Sequence, residues 1–262
     1  MMRIHCFRPE PQPARNFSND LAKTLLTTAL LAVLLRAQAP ATPPPAGMSD
    51  EEEVRLGQVL ADKFAAEEGM QPTPQTKKLD EYLQMVGDRV AAHAQRKIPY
   101  HFHFDPSPSF RSAVGLPGGQ VFVGAGILAY MDSEDQLAMV LGHEVEHIDL
   151  NQCRDRLIKV LAGEHLGASD SDKLKVDPFL PGYGREGELA ADREGVKLAM
   201  QAGYSAEAAM RLLRIYIILG ENMPNTPKEA KESLERRIAQ IRAVNSESKL
   251  PKPTAEKPLA LP

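Results

Sequence analysis

The chain has 262 residues, 43% of them hydrophobic and 25% charged, with two cysteines, and it carries a formal net charge of −4. That length supports a sizeable core, and one compact domain with tails is expected. Residues 1–41 contain five Lys/Arg and two Asp/Glu, which leaves 26 basic and 33 acidic residues beyond them; the resulting charge of −7 argues against nucleic acid as a partner.

Thr24 to Leu35 (TLLTTALLAVLL) is an uncharged apolar run with Arg3, Arg8, Arg15 and Lys23 before it and small residues after Arg36. This is the pattern of a secretory signal peptide, assigned to residues 1–41 with cleavage near Ala41. The run is shorter than the about 20 apolar residues needed to span a bilayer. Leu212 to Leu219 is interrupted by Arg214, so no transmembrane anchor is expected after cleavage, and the protein is expected to be exported, periplasmic or extracellular. Cys6 falls in the signal segment and Cys153 stands alone beyond it, which excludes an intramolecular disulfide in the exported chain.

A Pro-rich spacer covers residues 42–48, the folded domain residues 49–243, and a Pro-, Lys- and Glu-containing flexible tail residues 244–262. Ser49 and Glu52 form a capping box that opens a helix carrying Leu56, Val59, Leu60 and Phe64. A second helix is expected over Thr76–Ala94. Tyr100–Phe104 alternates as a strand, and Gln120–Val123 forms another that should pair with it. His101 and His103 lie on one face of the first strand and are expected to face solvent. Helices follow at Glu134 to about Gln152, Gly187 to about Gln201, Ala206 to about Gly220 and Pro227 to about Ala243. The fold class is α+β, mostly helical, with a small sheet.

The helix from Glu134 contains Leu141-Gly142-His143-Glu144-Val145-Glu146-His147-Ile148, "LGHEVEHI". Four residues make slightly more than one turn, so His143 and His147 project from one face and can share one Zn²⁺ at about 2 Å. Glu144 is offset by about 100° and can reach a water on that ion. Zinc brings the pKa of water from about 15.7 towards 7, and Glu144 can take its proton during attack on a carbonyl.

A catalytic site needs a third protein ligand and an open position. Leu150 and Cys153 stand where a metzincin continuation would have Gly and His. A glutamate on a separate helix is the other common solution. Glu186-Gly187-Glu188-Leu189-Ala190-Ala191-Asp192 supplies one: Glu188 as ligand, and Asp192, one turn on, as acceptor for an imidazole N–H. A structural zinc with a fourth donor remains open, with Cys153 as a conceivable ligand.

These two motifs resemble those of the gluzincin peptidases that include the CAAX prenyl endopeptidases and HtpX-like peptidases. Residues 51–61, 83–90, 113–123 and 135–148 are similar to the soluble, exported branch of that family, and the resemblance covers roughly residues 49–243. It implies a zincin-like fold, His143, His147 and Glu188 as zinc ligands, Glu144 as general base and Asp192 behind the ligands. It also implies that Gly118, Gly119, Gln120 and Val121 begin an edge strand that an extended protein or peptide substrate joins; the alternative for these side chains is a plain core strand. Envelope proteins are the partners it suggests.

Two positions depart from the family pattern: Ser112 stands where Asn is frequent, and Lys231-Glu232 replaces a His-Pro pair before Arg237-Ile238. Arg237 is the candidate for stabilising an oxyanion, with a helix-surface arginine as the alternative. His165, between the motifs, is expected to be a loop histidine. The reading is therefore a zinc metalloendopeptidase; the alternative is a chaperone-like envelope protein whose site is held inactive by a loop from Cys153 to Glu186.

Overall fold

In a computed structural model of the protein, which describes residues 47–221 and 228–262, the first elements form where the helix caps place them. Ser49 accepts from the N–H of Glu52, whose side chain reaches back to the N–H of Ser49, and α1 runs Asp50–Glu67. Helix α2, Pro74–Ala91, starts before the expected Thr76 because Thr73 caps it and Pro74 stands in its first turn, where the missing N–H has no intrahelical partner to lose. The expected signal segment and residues 42–46 of the spacer lie outside the described residues.

Three strands form one sheet: β1 (His101–Asp105), β2 (Ala113–Leu116) and β3 (Gln120–Gly124), in the order β1-β3-β2. β1 runs parallel to β3, with Phe102 opposite Val121, so the expected pair is present. β2 runs antiparallel to β3, with Gly115 opposite Val121; four residues containing a glycine carry little strand signal. This order corrects the expected edge. Gly118 and Gly119 lie in the tight turn between β2 and β3, while Gln120 and Val121 belong to the central strand, and all four are buried. A strand buried along its whole length has neighbours on both sides, and the outer edge on this side of the sheet belongs to β2. On β1, His101 is exposed, but His103 is half-buried, stacked on Phe122 with its Nε2 2.8 Å from Gln120 Oε1.

After the short α3 (Ala125–Leu128), Ser133 and Gln136 make a capping box and α4 runs Glu134–Asp149. It stops short of Gln152 because Asn151 takes a left-handed conformation, φ 60°, and a new helix, α5, runs Gln152–Gly163. The expected loop from Cys153 to Glu186 is thus helical at its start, burying Cys153, Leu157 and Leu161 on one stripe. Helices α6 (Gly184–Gln201), α7 (Ala206–Glu221) and α8 (Lys228–Glu247) complete the order.

Residues 244–262 are not a free tail. α8 continues through Glu247, and the chain then folds back over the start of α4. Lys257 accepts from the N–H of Glu134 at 2.9 Å and donates its own N–H to Asp135 Oδ2 at 2.8 Å. Leu259 packs against the main core, and Glu256 pairs with Arg211.

Helix α4 lies at the centre, its apolar residues Leu137, Leu141, Val145 and Ile148 fully buried. One buried cluster joins α2, the sheet, α4, α6 and α7; a second joins α1, α5 and the face of the sheet carrying Val114 and Phe122. Among the described residues no helix is long and apolar enough to cross a membrane.

Candidate metal centre

Helices α4 and α6 touch backbone to backbone. A Cβ on Gly142 would lie 2.5 Å from the carbonyl oxygen of Gly195, and one on Gly195 would lie 2.6 Å from that of Gly142. This contact brings Glu188, on α6, to the histidine face of α4.

His143 and His147 stand edge to face, ring centroids 4.5 Å apart and Nε2 atoms 2.9 Å apart. Glu188 places Oε2 3.4 Å from His143 Nε2 and Oε1 3.8 Å from His147 Nε2. Their ligand atoms all fall within 4.8 Å of one another, and among the described residues this is the one such group of three or more His, Cys, Asp or Glu.

The far side of each ring is held. His143 Nδ1 lies 2.9 Å from Asp192 Oδ1, and His147 Nδ1 lies 2.7 Å from Gln152 Oε1. With Nδ1–H donating to these oxygens, each Nε2 keeps its lone pair for a cation. Two imidazoles and one carboxylate, all aimed at one point, are the donor set of a three-ligand zinc site.

The charges agree with that fit. Burial alone would lower the pKa of His143, but its hydrogen bonds to Asp192 and Glu188 outweigh it and lift the value to about 10. Burial would raise both carboxylates, yet His143 holds Glu188, and Arg237 holds Asp192, well below the usual range. His147 is driven down to about 3 by burial and the neighbouring His143 charge. The pocket therefore favours one positive charge, on His143, beside a neutral His147.

Arg237 donates through both Nε and Nη2 to Asp192. The carboxylate of Asp192, 5% exposed, requires this counter-charge. Gln152 escaped the sequence reading: a helix continued through residue 152 turns its side chain away, whereas the break at Asn151 swings it back onto His147.

Glu144 is buried, and its Oε2 accepts the N–H of Gly115 in β2 at 2.7 Å. Burial raises its carboxyl above the ordinary value, which suits a group that must first accept a proton and then release it.

Tyr183 closes the other side, with its ring 4.5 Å from that of His147 and its N–H donating to Glu188 Oε1 at 3.0 Å. Its hydroxyl donates to Cys153 Sγ at 3.1 Å, and Arg156 lies 3.7 Å over its ring. Cys153 stands outside the metal group; burial raises its thiol to about 12, so it remains protonated and a poor ligand. His165 is exposed beyond the end of α5 and also lies outside the group.

The model of peptidase family M48 matches residues 77–245. The chain is 30% identical over 139 residues to the beta-barrel assembly-enhancing protease of Escherichia coli (strain K12), covering 49% of this chain and 28% of that protein. It is 31% identical over 174 residues to the mitochondrial metalloendopeptidase OMA1 of Schizosaccharomyces pombe, covering 61% of this chain and 50% of the relative. The bovine mitochondrial metalloendopeptidase OMA1 is 31% identical over 133 residues, 43% of this chain and 25% of its own. The chain thus spans half or less of the length of these relatives.

Proposed function

Because the chain belongs to peptidase family M48, we propose that it is a zinc-dependent endopeptidase acting on extended or unfolded protein segments. The observation that carries this reading is the convergence of His143, His147 and Glu188 beside the buried carboxylate of Glu144.

When bound, zinc supplies Lewis acidity towards a scissile carbonyl and a water whose pKa falls from about 15.7 towards 7. Glu144 would act as the base that takes the proton of an attacking water and returns it to the leaving amine. The Gly115 N–H holds one carboxylate oxygen of Glu144, leaving the other to make the transfer. Asp192 and Gln152 keep the two imidazoles in the tautomer that faces the ion, and Arg237 keeps Asp192 ionised.

The substrate backbone is assigned to the outer edge of β2. Gly115 turns its N–H to Glu144 and its carbonyl towards Cys153, both away from β3. Strand alternation turns the backbone of Ala113 the same way, so an extended peptide could add there as a further strand.

The biological setting is an extension of the same proposal. A signal-like segment in residues 1–41 and a relative named a beta-barrel assembly-enhancing protease support export and a role in envelope protein quality control.

The test is cleavage of unfolded casein by the full chain, with and without a chelator, beside Glu144→Gln. We expect chelator-sensitive cleavage that drops by about 10²- to 10⁴-fold in the variant. Equal cleavage by the variant removes the assigned base, and zinc binding without cleavage in the wild type favours a chaperone-like protein.

A further inference from the structure

Glu53 is a fully buried carboxylate in α1, far in sequence from the metal-binding motifs. Interior charges persist where they are paired. Its Oε2 receives Arg96 Nη2 at 2.6 Å and Arg154 Nε at 2.6 Å. Its Oε1 receives the backbone N–H of Gly118 at 3.0 Å. Replacing a buried ion cluster by apolar side chains is often neutral or stabilising, so stability alone gives a weak reason for this charge.

The contacts form a ring. Arg96 also donates to the carbonyl of Ile148 at 3.0 Å, at the end of α4, and Asp149 accepts the N–H groups of Gln95 and Arg96. From Arg96 the ring passes through Glu53 to Gly118, in the turn that joins β2 to β3. α1 is seated directly on that turn: a Cβ on Gly57 would lie 2.0 Å from the carbonyl oxygen of Pro117, and one on Gly118 would lie 2.6 Å from that of Glu53. β2 then returns to α4 through the bond from the Gly115 N–H to Glu144, at 2.7 Å. None of His143, His147 and Glu188 is a member of this ring.

We propose that Glu53 is a positioning residue for Glu144, setting the place of the Gly115 N–H by holding Gly118. The proposal rests on the reading of Glu144 as general base. Its consequence is a separation between reach and charge. Glu53→Asp keeps the charge for both arginines but is one methylene too short to hold Gly118 as well. Glu53→Gln keeps the reach and loses the charge: with its amide oxygen accepting from Gly118, its NH2 meets the arginine donors in place of Oε2.

The experiment compares these two variants of the zinc-loaded full chain, measuring kcat and KM on an unfolded protein substrate, zinc affinity by chelator competition, Tm, and hydrogen exchange at the Gly115 amide. A displacement of the base by about 1 Å costs on the order of a hundredfold in rate, so Glu53→Asp should lose about ten- to a hundredfold in kcat with KM and zinc affinity unchanged. Its Gly115 amide should exchange faster than in the wild type. Glu53→Gln should lower Tm yet keep kcat within about threefold and keep Gly115 protected. Wild-type kcat and Gly115 protection in Glu53→Asp overturn the proposal, as does an equal kcat loss in zinc-bound Glu53→Gln. If the wild-type chain cleaves nothing, the peptidase reading fails, and exchange at Gly115 still decides whether Glu53 holds the strand.

Discussion

Gly142 and Gly195 meet where α4 crosses α6, so closely that a Cβ on either would lie within 2.6 Å of the other's carbonyl oxygen. The proposed metal site depends on this closeness, since it carries Glu188 to the histidines. A methyl group on Gly195 must push the helices apart. We expect Gly195→Ala to lose about 1–3 kcal/mol of stability and to bind zinc more weakly than the wild type, checked by denaturant titration and chelator competition. Wild-type zinc affinity in that variant would show that the crossing does not set the ligand spacing.

Gln152 orients His147 at 2.7 Å, and ligand orientation of this kind is worth about 10- to 100-fold in metal affinity. Gln152→Leu should weaken zinc binding by that factor, while Gln152→Glu, which still offers an acceptor, should restore most of it. Competition with a fluorescent chelator measures both.

Buried Asp192 and half-buried Arg237 form an ion pair behind His143. Arg237→Ala leaves buried Asp192 with His143 as its remaining partner, a loss smaller than the about 3–5 kcal/mol of a broken, fully buried pair. Arg237→Lys should recover only part of it, because an ammonium cannot donate in the two-pronged geometry. Thermal unfolding of the metal-free proteins reads the ordering: wild type, then Lys, then Ala.

The strap formed by the chain's end has its own pH window. Arg211 holds the carboxyl of Glu256 below its ordinary 4.5. A carboxylate with a depressed folded-state pKa adds stability that is complete above the unfolded value and disappears as pH falls through the folded one. The pair is partly exposed, so its contribution is on the order of 1 kcal/mol. Glu256→Gln should therefore lower Tm at neutral pH and match the wild type well below pH 4.5. A difference that persists in acid would place the effect elsewhere.

The parts of this site that share one helix were legible from residue spacing. His143, Glu144 and His147 need only the 3.6-residue period of α4, and Asp192 needs only its one-turn offset from Glu188. Gln152 was hidden by Asn151, whose left-handed backbone ends α4 and reverses the direction of the next side chains. Gly115 and Glu53 were hidden because their roles depend on strand order, and a four-residue strand beside a buried five-residue one leaves no periodic trace of which is the edge. The strap was read as free because its Pro-rich composition lacks apolar periodicity; it is held by backbone bonds and the Glu256 pair instead.

The central claim is that one zinc is gripped by His143, His147 and Glu188 with a position left for water. Zinc-edge X-ray absorption of the full chain tests it directly. The expected spectrum is that of one zinc per chain with only nitrogen and oxygen neighbours at about 2.0–2.2 Å, two of them imidazole. A sulfur neighbour at about 2.3 Å, or zinc binding that survives Glu188→Ala unchanged, would contradict it.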